Sequence, residues 1–209
     1  MATTVALVGV THPHARMYLD TLDALDEVAG VVLCDADTQA ASEVATRVPK
    51  VVGVYGELAE ALADPAVTHV LVALPNDQTP AALVRAIEAG KSVFAEKPCA
   101  RSAAEFAPVR AALARQPVPF GVAYLNRAHP AMRQIRELYQ AGALGRLTAV
   151  ELRMVTTQVR LRNPNHWLFK RAVAGGGILT WLGCHWLDLV RYLTGDEYAS
   201  VSAQLATLG

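Results

Sequence analysis

The stretch Thr4-Val-Ala-Leu-Val-Gly-Val-Thr-His-Pro-His14 decides the fold. Its first half is a short β-branched apolar run and its second half is a turn that leads at once into the Ala-rich stretch Ala15–Leu25. A strand that stops at a glycine and feeds a helix is the opening of a βα unit. In the GxGxxG fingerprint of dinucleotide-binding turns, the glycines permit the tight turn, close approach of the pyrophosphate and close helix packing. Gly9 fills the first of those positions, while Thr11 and His14 stand at the second and third. Thr11 or His12 can cap the helix and Pro13 suits its first turn, which leaves amide N–H groups and the positive dipole end for phosphate.

The same alternation continues outward. Strands are expected at Thr4–Val10, Gly30–Cys34, Val51–Val54, His69–Ala73, Ser92–Ala95 and Val118–Ala123, with helices between them at Ala15–Leu25, Thr38–Arg47, Leu58–Ala63, Pro80–Ala89 and Ala103–Arg115. Strands that are apolar on both faces suit a parallel sheet covered by helices on both sides. The second strand ends at Asp35, twenty-one residues after His14, where a carboxylate meets the adenosine ribose hydroxyls. No Lys or Arg follows until Arg47, so NAD is expected in preference to NADP. Asp37 is expected to cap the following helix.

After Ala123 the pattern changes to an α+β character. A helix is expected over His129–Ala141, an antiparallel strand over the alternating run Leu147–Thr157, a helix near Cys184–Leu193 and a last strand over Tyr198–Leu205. The expected organisation is a doubly wound Rossmann domain over residues 1–123 and a smaller α+β domain with an open, mainly antiparallel sheet over 124–209.

Bulk composition excludes several classes. The 209 residues carry 19 basic and 19 acidic side chains, so there is no basic footprint for nucleic acid. The apolar runs noted above are strand-sized and no charged leader precedes the first of them, so neither a membrane span nor a secretory signal is expected, and the protein is placed in the cytoplasm. Three cysteines without CxxC spacing indicate reduced thiols rather than a disulfide framework or a zinc ribbon. The pair His12 and His14 lacks a carboxylate or thiol nearby in sequence, so no metal site is expected.

Further segments carry a family resemblance. His69-Val-Leu-Val-Ala-Leu-Pro-Asn76, Glu96-Lys97-Pro98, Asn126-Arg-Ala-His-Pro130, Gly142-Ala-Leu-Gly145 and the stretch from Gly175-Gly-Gly to His185-Trp-Leu-Asp188 follow one another as in the Gfo/Idh/MocA oxidoreductases, which the chain resembles over nearly all of its length. The resemblance implies that Pro75 and Asn76 line the cofactor cleft, that Glu96 and Pro98 shape the turn presenting Lys97 to the nicotinamide, and that His185 is the acid or base at the hydroxyl being oxidised. Asp188 shares a helix face with His185 and could orient its ring. Asn126 and Arg127 are the implied substrate contacts, while Trp181, which the resemblance does not supply, is a candidate stacking wall for a sugar ring or part of the core.

Two departures qualify the resemblance. Trp181 occupies the position where sugar- and inositol-oxidising members carry an Asp, and an indole offers one donor and no acceptor. Members also usually continue through more strands, so the second sheet is expected to be incomplete. The implied activity is NAD-dependent hydride transfer to or from a carbinol carbon of a sugar, cyclitol or polyol. A non-catalytic dinucleotide-responsive regulator and an NAD-assisted glycosidase are the alternatives. A small-molecule substrate and homo-oligomers formed through the second sheet, if it is complete enough, are the implied partners.

Overall fold

The computed structural model describes residues 3–206. Six strands, β1 (Thr3–Val8), β2 (Val28–Cys34), β3 (Val51–Tyr55), β4 (Val67–Val72), β5 (Ser92–Ala95) and β6 (Phe120–Val122), form one sheet in the order β3-β2-β1-β4-β5-β6. Every pairing is parallel. Helices α1 (Ala15–Ala24), α2 (Thr38–Ala45), α3 (Leu58–Ala63), α4 (Thr79–Glu88) and α5 (Ala103–Arg115) make the crossovers.

The apolar residues on both faces of each strand account for this arrangement. Ala6, Val8, Val32, Val70 and Val72 pack on one side with Leu83 and Ile87, whereas Val5, Leu7, Val31, Leu33 and Leu71 pack on the other with Leu19 and Leu22. Burial of this kind stabilises by roughly 25 cal/mol per Å² of apolar surface removed from water. Strand order reverses between β1 and β4, and ligands in open α/β sheets bind in the crevice at that point, outside the carboxyl ends of the strands.

By their contacts, the described residues up to Ala123 form one compact unit together with Arg162–Trp181, while Tyr124–Leu161 and the residues from Leu182 onward form another. In the first unit, the added segment carries a short helix α7 (Arg171–Ala174) that ends at Gly175 in the left-handed conformation. A Cβ on Gly175 would come within 2.5 Å of Arg101 Cβ, so only glycine fits there. In the second unit, α6 (Pro130–Gln140) packs on α8 (Cys184–Thr194).

The expected strands Leu147–Thr157 and Tyr198–Leu205 do not form, and no open sheet is present among the described residues of the second unit. Alternating polarity makes a segment fit one face of a sheet, but a strand exists only when a neighbour takes up its N–H and C=O groups. Neither run finds that neighbour. Val155 is 88% exposed and Val201 80% exposed.

Among the described residues one helical run, Arg171–Thr194, is long and apolar enough by length and composition to cross a membrane, its most apolar 18 residues having a mean hydropathy of 1.2. It is longer than the strand-sized runs on which the expectation of no membrane span rests. Within it, however, Gly175 breaks the helix and Asp188 is buried in an ion pair.

Candidate active site

The turn after β1 is held by its neighbours on both sides. Gly9 has φ +98°, and a Cβ there would lie 2.1 Å from the carbonyl oxygen of Ala73 at the end of β4. The first fingerprint glycine therefore does what its position requires, letting the backbone turn left-handed against the next strand. Gly9 N–H donates to Cys34 O at 2.9 Å, and Val10 N–H donates to Asp35 Oδ2 at 2.8 Å. Asp35 thus reaches across from β2 to pin the loop, and its Oδ1 accepts from Asp37 N–H at 3.0 Å. Asp37 caps α2 as expected, through Ala40 N–H.

Neither Thr11 nor His12 caps the helix: the N-cap is His14, without a side-chain cap bond, and His12 instead closes the loop one step earlier. Its Nδ1 accepts from His14 N–H at 3.1 Å, while Thr11 is exposed. Pro13 precedes α1 instead of lying in its first turn, because the helix begins at Ala15 with His14 as its N-cap. His129 and His166 use the same device, each accepting at Nδ1 the amide two residues on. This bond places the proton of a neutral ring on Nε2 and turns each of these histidines into a donor. Burial, partly opposed by Glu96, holds the His12 imidazole down at about 4, and the nearby His14 and Lys97 add to the depression.

Glu96 directly follows β5 and is the polar hub of the site. It is 3% exposed, yet it accepts from Tyr18 Oη at 2.9 Å, from Lys97 N–H at 2.6 Å and from His14 Nδ1. Burial alone would raise its pKa, but the bond from His14 and the charge of Lys97 outweigh burial and hold the carboxyl below its usual range. His14, where a third glycine would stand, is therefore bonded to the base of the Glu-Lys-Pro turn. Along the sequence the histidine pair has no carboxylate partner nearby. The fold supplies one, because β1 and β5 flank β4 and end at the same edge of the sheet.

Lys97 is 5% exposed, and its Nζ donates to the main-chain oxygen of Trp181 at 3.1 Å. The Trp181 ring has the Arg162 guanidinium 4.4 Å from its centroid, an interaction no motif signalled. Asn76 is buried and its Nδ2 donates to Ala174 O at 2.8 Å. These groups share one cleft of the first unit, whose lining includes His12, His14, Asn76, Lys97, Trp167 and Trp181. No sequence motif marks Trp167; its ring lies 5.9 Å from that of His12.

In the second unit, Asp188 takes Arg127 in a bidentate pair, through Nε at 2.7 Å and through Nη2. Arg127 also lies over the rings of Tyr124 and Tyr192. The arginine expected to meet substrate is committed to this network instead, because the buried carboxylate must be paired. His185 has the Tyr124 ring 6.0 Å away, edge-on.

Strand order, the left-handed Gly9, the pinned loop and an acidic residue at the end of β2 together define a dinucleotide-binding Rossmann domain, and these residues fit a dinucleotide at the carboxyl edge of the sheet. Residues 3–124 match the oxidoreductase family with an NAD-binding Rossmann fold, and residues 132–209 match the GFO/IDH/MocA C-terminal domain. The chain belongs to the Gfo/Idh/MocA oxidoreductase family.

It is 33% identical to the levoglucosan dehydrogenase of Pseudarthrobacter phenanthrenivorans over 147 residues, covering 69% of this chain and 37% of that protein. Over 207 residues it is 32% identical to a myo-inositol dehydrogenase of Streptomyces leeuwenhoekii, covering 98% of this chain and 60% of the relative. A solved levoglucosan dehydrogenase complex with NADH and levoglucosan has the same fold, with a TM-score of 0.81 at 24% identity, covering 94% of this chain and 55% of that one. The chain thus spans about half the length of such relatives.

Proposed function

We propose that this protein is an NAD-dependent dehydrogenase that oxidises a carbinol carbon of a sugar, cyclitol or related polyol. The observation that carries the reading is Lys97, a buried lysine presented by the Glu-Lys-Pro turn at the edge of the sheet beside the dinucleotide loop. NAD, when bound, accepts the hydride from the carbinol carbon. Lys97 polarises the substrate oxygen and His185 takes the hydroxyl proton, so that alcohol and NAD give ketone, NADH and a proton. Asp35 and the loop from Gly9 through Thr11, His12 and His14 bind the adenosine and pyrophosphate, with Pro75, Asn76 and Glu96 lining or supporting the cleft. The two relatives support the substrate class by their names. Location in the cytoplasm belongs to the same reading, with homo-oligomer assembly conditional on a second sheet that does not form among the described residues.

The bond from Lys97 Nζ to Trp181 O favours a second reading, a dinucleotide-responsive binding protein without turnover, because the position of the family carboxylate supplies only a main-chain acceptor. Calorimetry with NAD and NADP, followed by NADH formation across a panel containing levoglucosan, myo-inositol and common hexoses, separates the two. Binding with turnover, lost in Lys97→Met, is the expected result. Binding without turnover on any member would support the regulator.

A further inference from the structure

We propose that His12, His14 and Glu96 form a binding site for a divalent transition-metal ion at the head of the dinucleotide loop. One ligand atom from each of the three lies within 4.8 Å of the others, with Glu96 buried and both histidines half-buried. The two histidines are brought together by the turn after β1, and the glutamate arrives from the end of β5. Two imidazoles with one carboxylate form a donor set that prefers zinc, cobalt, nickel or ferrous iron to magnesium or calcium. Three protein ligands leave at least one position open, and His12 and His14 both line the cleft that contains Lys97 and Asn76.

The surroundings are those of a supported site. Glu96 is oriented by Tyr18 Oη and by Lys97 N–H, bonds that persist with a metal on the carboxylate and act as its outer shell. The cation takes the place of the proton shared by His14 Nδ1 and Glu96, so binding releases it. At His12 the loop bond from His14 N–H is given up, because Nδ1 either becomes the ligand or takes the proton displaced from Nε2. The ammonium of Lys97 is engaged with Trp181 O.

The test is a titration of the chelator-treated chain with Zn²⁺ and, separately, Co²⁺, followed by calorimetry and by the visible absorption of cobalt. One ion per chain is expected, with Mg²⁺ failing to bind and with affinity falling at least about tenfold in both His12→Gln and His14→Gln. Circular dichroism establishes that each variant is folded. Absence of binding to the folded chain overturns the proposal, as does binding that either histidine variant leaves undiminished. NAD titrated into the metal-free chain is a separate measurement, so its failure would remove the proposed dehydrogenase and leave the metal result standing.

Discussion

The hydroxyl of Tyr18 donates to Glu96 at 2.9 Å across 78 residues of sequence, tying the first helix to the turn that carries Lys97. Both side chains are buried, and the acceptor is ionised, so this bond is of the stronger charge-assisted kind. Tyr18→Phe removes one donor while leaving the ring against Phe94. The expected cost is about 1.5–3 kcal/mol, measured by denaturant unfolding. A change below a few tenths would mean that Glu96 finds another donor without penalty.

Gly9→Ala is expected to be far more damaging than its size suggests. The left-handed backbone costs ~1–2 kcal/mol for a residue with a Cβ. Contact with Ala73 O at 2.1 Å adds overpacking of ~1–3 kcal/mol as β1 and β4 are pushed apart. A variant that unfolds within about 1 kcal/mol of wild type would show that the turn can relax into a different conformation.

Much of this arrangement is legible in the sequence, and the reasons are local. Strands β1 to β6 fall within two residues of their expected limits at every end, because runs such as Val31–Cys34 and Val70–Val72 are apolar on both faces and bounded by turn residues. Gly9 and Asp37 are equally local, each needing only its own turn. The Glu96–His14 bond is not legible, since it depends on which strands become neighbours in space. The misread Leu147–Thr157 fails for the converse reason: its alternation is real, but pairing is a property of a second segment that the pattern does not contain.

Asp35 has two duties, and a substitution should separate them. Asp35→Ala removes the bond to Val10 N–H and with it the pin on the loop, whereas Asp35→Asn retains one acceptor for that amide and loses the charge together with the second acceptor that holds Asp37 N–H. On the proposed reading, Asp35→Asn weakens NAD binding and narrows the preference over NADP, because like-charge repulsion of a 2′-phosphate disappears. Calorimetric affinities for the two dinucleotides check this. An unchanged ratio would remove Asp35 from cofactor selection.

Asp188 is 6% exposed, and its bidentate partner Arg127 is half exposed to water. Arg127→Met leaves a buried carboxylate unpaired and is expected to destabilise by about 2–3 kcal/mol, less than a fully buried pair because solvent can reach the vacated side. The double variant Arg127→Met with Asp188→Leu should recover part of that loss, since the charge that needed a partner is gone. Hydrogen exchange along α8 is the suitable readout, because it reports on the element carrying Asp188. No recovery in the double variant would mean that Arg127 matters through its stacking on Tyr124 and Tyr192 instead.

The His12 imidazole, lowered from an ordinary 6.5 to about 4 by burial, makes stability depend on pH in a defined window. Between those values the unfolded chain binds a proton that the folded chain does not, so stability rises with pH from about 4 to 6.5, and this residue adds no further dependence above that. Glu96 acts lower on the scale: its depressed pKa gives stability that is present above the ordinary carboxyl value and lost as pH falls through the folded one. His12→Asn keeps a side-chain oxygen that can accept the His14 amide, as Asn does in Asx turns, and removes the titration. The variant is therefore expected to match wild type near pH 7 and to lose less stability than wild type between pH 6.5 and 4, measured by urea unfolding at stepped pH. Parallel curves over that window would show that His12 takes up its proton in the folded protein as readily as in the unfolded one.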